Sequence, residues 1–153
     1  MAPQRIDIGS LSLPELQELH RNLSAEVENL TNNLVVLQQT AGRFGNAGKS
    51  IEELKEKKPG QPLLLPMTES LYVSGTIDNI DTVLLEIGTG YFIEKDVDGG
   101  VEYCRRKVML IKDQIEQLSQ VIQQQHGALS QIQAIAQEKA AAAGATGAAT
   151  GNG

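Results

Sequence analysis

With 153 residues the chain has room for one domain, and aromatic residues are only 3% with no tryptophan, so packing must come from Leu, Ile and Val. The formal charge of −6 argues against nucleic acid or anionic membranes as partners, because both demand clustered cations. A single cysteine, Cys104, excludes an internal disulfide and falls where a buried structural thiol is expected.

Residues 1–11 read as an N-terminal extension. They lack the basic-then-apolar pattern of a secretory signal, so the expected location is the cytosol or the nucleus. From Leu13 to Lys58 an apolar repeat follows, roughly six heptads long. One register is Leu16, Leu23, Leu30, Leu37, Phe44 and Ile51. Its partner, Leu13, His20, Val27, Leu34, Ala41, Gly48 and Lys55, weakens towards both ends. Ser12-Leu13-Pro14-Glu15 has the capping-box pattern, in which Ser12 accepts a bond from an early amide and Glu15 reaches back. Lys57-Lys58-Pro59-Gly60 supplies the stop, so a helix over 12–58 is predicted. Gly42, Gly45 and Gly48 each cost about 1 kcal/mol inside a helix and mark close packing, a bend or a break.

Residues 61–95 read as strands. Leu63, Leu64 and Leu65 between Pro62 and Pro66 suit an edge strand, and the run continues through Leu71, Tyr72 and Val73 with Ser74-Gly75 as turn formers. Val83, Leu84, Leu85 and Ile87 then face Tyr91, Phe92 and Ile93 across Gly88-Thr89-Gly90. Two hairpins are therefore expected. Their edges have no core to cover in one chain and must find strands of other subunits, which predicts an obligate oligomer.

The second heptad segment runs from about Val97 to Lys139. Val101, Val108, Ile115, Ile122, Leu129 and Ala136 form one register, and Cys104, Ile111, Leu118, Gln125, Ile132 and Lys139 the other. Residues 117–137 carry no charge but eight glutamines, whose amides exclude a membrane span. Ala140 to Gly153 holds only Ala, Gly, Thr and Asn and reads as a disordered tail.

The predicted fold class is α+β: a long antiparallel coiled coil of two helices, 12–58 and 97–139, joined by two β-hairpins. Helices of about 40 residues would each reach roughly 60 Å. Folding back brings Leu13, Leu16, Leu19, Ile132, Ile135 and Ala136 to one tip, where the last seam residues should be half covered. They form either a surface that grips apolar partners or the frayed end of a coiled coil.

Chemistry is poorly represented. Gly88-Thr89-Gly90 lacks the third glycine and following helix of a dinucleotide site. Asp96-Val97-Asp98-Gly99-Gly100 resembles the start of a calcium loop but lacks its third acidic ligand and closing Glu, and reads as an acidic turn capping the second helix. His20 and His126 have no companion at metal-ligand spacing. No catalytic residue, metal or cofactor is expected, and the chain reads as a binding protein.

The segments Leu64-Leu65-Pro66-Met67-Thr68-Glu69-Ser70-Leu71-Tyr72-Val73-Ser74-Gly75 and Val83-Leu84-Leu85-Glu86-Ile87-Gly88-Thr89-Gly90-Tyr91-Phe92-Ile93-Glu94-Lys95, with the leading Leu13-Pro14-Glu15-Leu16, resemble an α-class prefoldin subunit of the eukaryotic type. The resemblance covers roughly residues 10–139 and implies a prefoldin α-type domain over 12–139. It implies a heterohexamer of two α-class and four β-class prefoldin subunits, with hairpins forming a double barrel and coiled coils projecting from it. It further implies capture of unfolded actin and tubulin at the coiled-coil tips without ATP, and transfer to the cytosolic group II chaperonin. On this chain Leu13, Leu16, Leu19, Ile132 and Ile135 would be the client contacts, and the strand residues named above the assembly device. The competing expectation is a coiled-coil scaffold or tether that docks one regulatory protein.

Overall fold

The computed structural model describes residues 8–148. In chain order it has a 3-10 turn, Ile8–Ser10, then α1 (Leu13–Leu54), β1 (Pro62–Pro66), β2 (Tyr72–Thr76), β3 (Thr82–Gly88), β4 (Tyr91–Asp96) and α2 (Val97–Ala148). The chain divides into two compact units. One comprises Met1–Val36 with Ile115–Gly153, the other Leu37–Gln114.

In the unit of residues 37–114, the ends of α1 and the start of α2 pack antiparallel. Lys55 Nζ meets Asp98 Oδ1 at 2.5 Å, and the rings of Phe44 and Tyr103 meet edge-on at 6.4 Å. Gly48 marks close packing: a Cβ there would stand 3.3 Å from that of Cys104. Gly42 and Gly45 face open space, and α1 passes through all three glycines without a break. Cys104 and Ile111 form the buried seam, and burial pushes the Cys104 thiol up from its ordinary value. At Gly100 a Cβ would lie 2.8 Å from Val83 Cγ2, so only glycine lets α2 start against β3.

The strands form two separate antiparallel pairs, β1 with β2 and β3 with β4. The first hairpin turns over Met67–Leu71, where the Met67 amide donates to the Leu71 carbonyl at 2.8 Å and the Leu71 amide to Thr68 Oγ1 at 3.1 Å. Ser74 and Gly75 therefore lie within β2, opposite Leu64 and Leu63, rather than in a turn. The threonine hydroxyl closes the loop earlier than the Ser-Gly pair suggests. The second hairpin turns at Gly88-Thr89-Gly90, with φ of 133°, 48° and 80° and a bulge between Glu86 and Gly88.

In the unit holding both chain ends, Leu16, Val27 and Ile132 are buried. The first turn of α1 carries half of the expected box. Glu15 Oε2 accepts from the Ser12 amide at 2.7 Å, but it also accepts from the Ser12 hydroxyl at 2.6 Å, so that hydroxyl donates instead of capping an amide.

Two boundaries depart from the sequence reading. The α-helical bonding of α1 stops at Leu54, and Lys55, Glu56 and Lys57 continue with tighter bonds to carbonyls three residues back, so Lys57 and Lys58 lie beyond the helix. The segment expected to be a tail is helical to Ala148, because alanine has the highest helix propensity and needs no core to extend an existing helix. The expectation for 149–153, like that for 1–7, lies outside the described residues.

Candidate functional site

The strand residues chosen from the sequence divide by exposure. Leu63, Val83, Leu85 and Ile93 are half-buried. Leu64 (67% exposed), Leu84 (71%), Tyr91 (71%) and Phe92 (60%) are open, as are Leu65, Leu71, Tyr72, Val73, Ile87 and the unselected Met67. Large apolar side chains thus stand exposed on consecutive strand positions, hence on both sides of each ribbon. A two-stranded ribbon is marginal alone, and exposed apolar area of this extent marks an interaction surface.

The five predicted contact residues all lie in the unit that holds both chain ends, where Leu13, Leu16 and Ile132 line one groove and Leu19 another, while Ile135 lines neither. Leu16 and Ile132 are 0% and 2% exposed, the largest fully buried side chains among the described residues. The expectation that terminal seam residues are half covered fails for this pair, because more chain lies beyond them: α2 runs on past Lys139, and Ala140 lines the same groove. Leu13, Leu19 and Ile135 are half-buried and reachable.

Two hollows flank the helices there. The larger, about 340 Å³, is bounded by Leu13, Leu16, Ile132, Ala136 and Ala140 with Gln17, Gln133, Gln137 and His20, so apolar surface meets amides and no carboxylate or ammonium. The smaller, about 240 Å³, is lined by Leu11, Glu15, Glu18, Leu19 and Asn22. Leu11 was not foreseen, since it lies outside the heptads. It is held where it is by Lys139, whose Nζ donates to the carbonyls of Gly9, at 2.8 Å, and of Leu11. Ser12 lowers the Glu15 carboxyl below the usual range through its hydroxyl and its amide, with Lys139 adding a smaller attraction.

Among the described residues no three His, Cys, Asp or Glu side chains cluster as a metal site, and no helix is long and apolar enough to cross a membrane. The site offers shape and apolar contact rather than reactive groups.

Comparison with known proteins bears on the family and the fold. The family described as Prefoldin subunit matches residues 23–142. The chain is 38% identical to prefoldin subunit 5 of Arabidopsis thaliana over 117 residues, covering 76% of this chain and 78% of that protein. It is 30% identical to human prefoldin subunit 5 over 146 residues, covering 95% of both. Among solved structures, a cryo-EM structure of filamentous PFD from Methanocaldococcus jannaschii matches with a TM-score of 0.68 at 19% identity, covering 76% of this chain and 97% of that one. That likeness supports the fold: two long helices and two small antiparallel sheets.

Proposed function

This chain belongs to the prefoldin family, and on that premise we propose that it captures unfolded chains of the actin and tubulin type without ATP and passes them to the cytosolic group II chaperonin. Prefoldin subunits are its partners. The finer reading is an assembly of two α-class and four β-class subunits, working in the cytosol or the nucleus.

The observation that carries capture is the 340 Å³ groove, apolar in its walls and without a carboxylate or ammonium on its rim. Such a surface takes aliphatic and aromatic side chains of any sequence, while its glutamines satisfy stray backbone groups without imposing a charge preference. Each contact is weak, and several copies engaging one client multiply their effect through effective concentration. No covalent step is involved, which fits a non-enzymatic subunit.

Burial changes which residues test this. Leu16 and Ile132 support the helices, so the informative variant is Leu13→Ser, Leu19→Ser and Ile135→Ser together. The test is light scattering of denatured actin diluted into buffer with the assembled complex. The expected result is suppressed aggregation with the natural chain and reduced suppression with the triple variant, at unchanged complex mass. Equal aggregation with and without the natural complex would refute the reading.

A further inference from the structure

We propose that the first hairpin is one-sided: a strand of a partner prefoldin subunit is held along the outer edge of β2, while Pro62 and Pro66 leave the outer edge of β1 too poor in donors to hold one firmly. This rests on the assembly reading above and adds to it which strand does the holding.

In an antiparallel pair, positions whose amide and carbonyl face the partner strand alternate with positions whose amide and carbonyl face away. Bonds at the two ends of the first hairpin fix which are which. At one end the Ile77 amide donates to the Gln61 carbonyl at 3.0 Å, and at the other the Met67 amide donates to the Leu71 carbonyl at 2.8 Å. Gln61 and Met67 lie an even number of residues apart, and the register between them runs unshifted from Pro62 opposite Thr76 to Pro66 opposite Tyr72. The backbone groups of Leu63 and Leu65 therefore face those of Gly75 and Val73. Those of Pro62, Leu64 and Pro66 point outward from β1, and those of Tyr72, Ser74 and Thr76 point outward from β2.

The two outer edges are not equivalent. Proline has no amide hydrogen, so β1 offers Leu64 as its one outward donor, whereas β2 offers an amide at each of Tyr72, Ser74 and Thr76. A strand laid along β1 would meet two gaps where its own carbonyls lose water and gain no donor, which costs more than an ordinary bond returns. Apolar exposure does not choose between the edges, since Leu64 and Leu65 are as open as Tyr72 and Val73. The second hairpin has no such asymmetry. There the Val97 amide donates to the Asp81 carbonyl at 3.2 Å, which turns Thr82, Leu84 and Glu86 outward on β3 and Phe92, Glu94 and Asp96 outward on β4, with no proline among them. Each sheet has two strands, so among the described residues no third strand covers any of these edges, and β1 is the one blunted by proline. Prefoldin subunits are the partners of this chain, and an extended strand is the form of partner that satisfies alternating amides and carbonyls.

The test is residue-resolved amide exchange by NMR on the full chain, alone and assembled with its partner subunits. Assembly should slow exchange at Tyr72, Ser74 and Thr76 by about tenfold or more, and at Leu64 by clearly less. Equal slowing at Leu64 and Ser74, or no slowing on β2 in a complex of the expected mass, overturns the proposal and leaves assembly standing. Slow exchange on β2 already in the chain alone would give that edge to a second copy and overturn the partner-strand assignment. Ser74→Pro removes an outward donor and no bond to β1, so it should weaken assembly about tenfold, whereas Leu64→Pro should leave it nearly intact. Equal losses in the two variants also overturn the proposal, and the exchange measurement on the natural chain decides it even if a variant misfolds. No complex on mixing defeats the assembly reading and the proposal with it.

Discussion

The two units share one heptad grammar but differ in how they expose their apolar residues. Around the hairpins, large apolar residues such as Leu84 and Phe92 are left mostly in water. In the unit with both chain ends, Leu16 and Ile132 are sealed, and the accessible apolar residues are half-buried and interleaved with glutamines. Surface of the first kind suits permanent association, since obligate interfaces resemble a core cut in half. Surface of the second kind suits contacts that form and release. Apolar residues are present in both; under the proposed function, the extent of their exposure is what separates assembly from capture.

Breaking the hairpin side should give the largest effect. Leu84→Asp with Phe92→Asp places charges where partner strands would close, and assembly by sedimentation should be lost while helical circular dichroism persists. In the other unit, Ile132→Ala should cost about 2–5 kcal/mol in denaturant unfolding, because it empties a sealed seam position. The same change at Ile135, half-buried, should cost clearly less.

Glycines sharpen the comparison at smaller scale. Gly100→Ala forces Val83 aside and should destabilise by about 1–3 kcal/mol, whereas Gly42→Ala, facing open space in α1, should stabilise by up to about 1 kcal/mol. Both are read from thermal or denaturant midpoints.

The smallest effect concerns pH. Glu15 has a lowered folded-state pKa, so its contribution is fully present above the ordinary carboxylate range. It is lost as pH falls through the lowered value. Glu15→Gln should flatten that part of the acid-unfolding curve, and an unchanged curve would remove Glu15 from the account.

Much of this was legible in the residues. Heptads such as Leu16 to Ile51 dictate paired helices whatever surrounds them, and the Gly88-Thr89-Gly90 turn names its hairpin. Less legible was anything set by a competing local bond. Thr68 Oγ1 capturing the Leu71 amide moved the first turn away from Ser74-Gly75. Alanine propensity carried α2 past Lys139, which reversed the expected exposure of Leu16 and Ile132. Lys139 itself was visible as a charge on a seam register, but its acceptors lie 128 and 130 residues away in sequence, a pairing that periodicity does not encode.

The most direct test of the central contrast is the mass of the chain by light scattering, alone and mixed with β-class prefoldin subunits. The account predicts a discrete complex of two such chains with four β-class subunits, formed only on mixing and abolished by the hairpin double variant. A monomer or self-dimer indifferent to those subunits would contradict it.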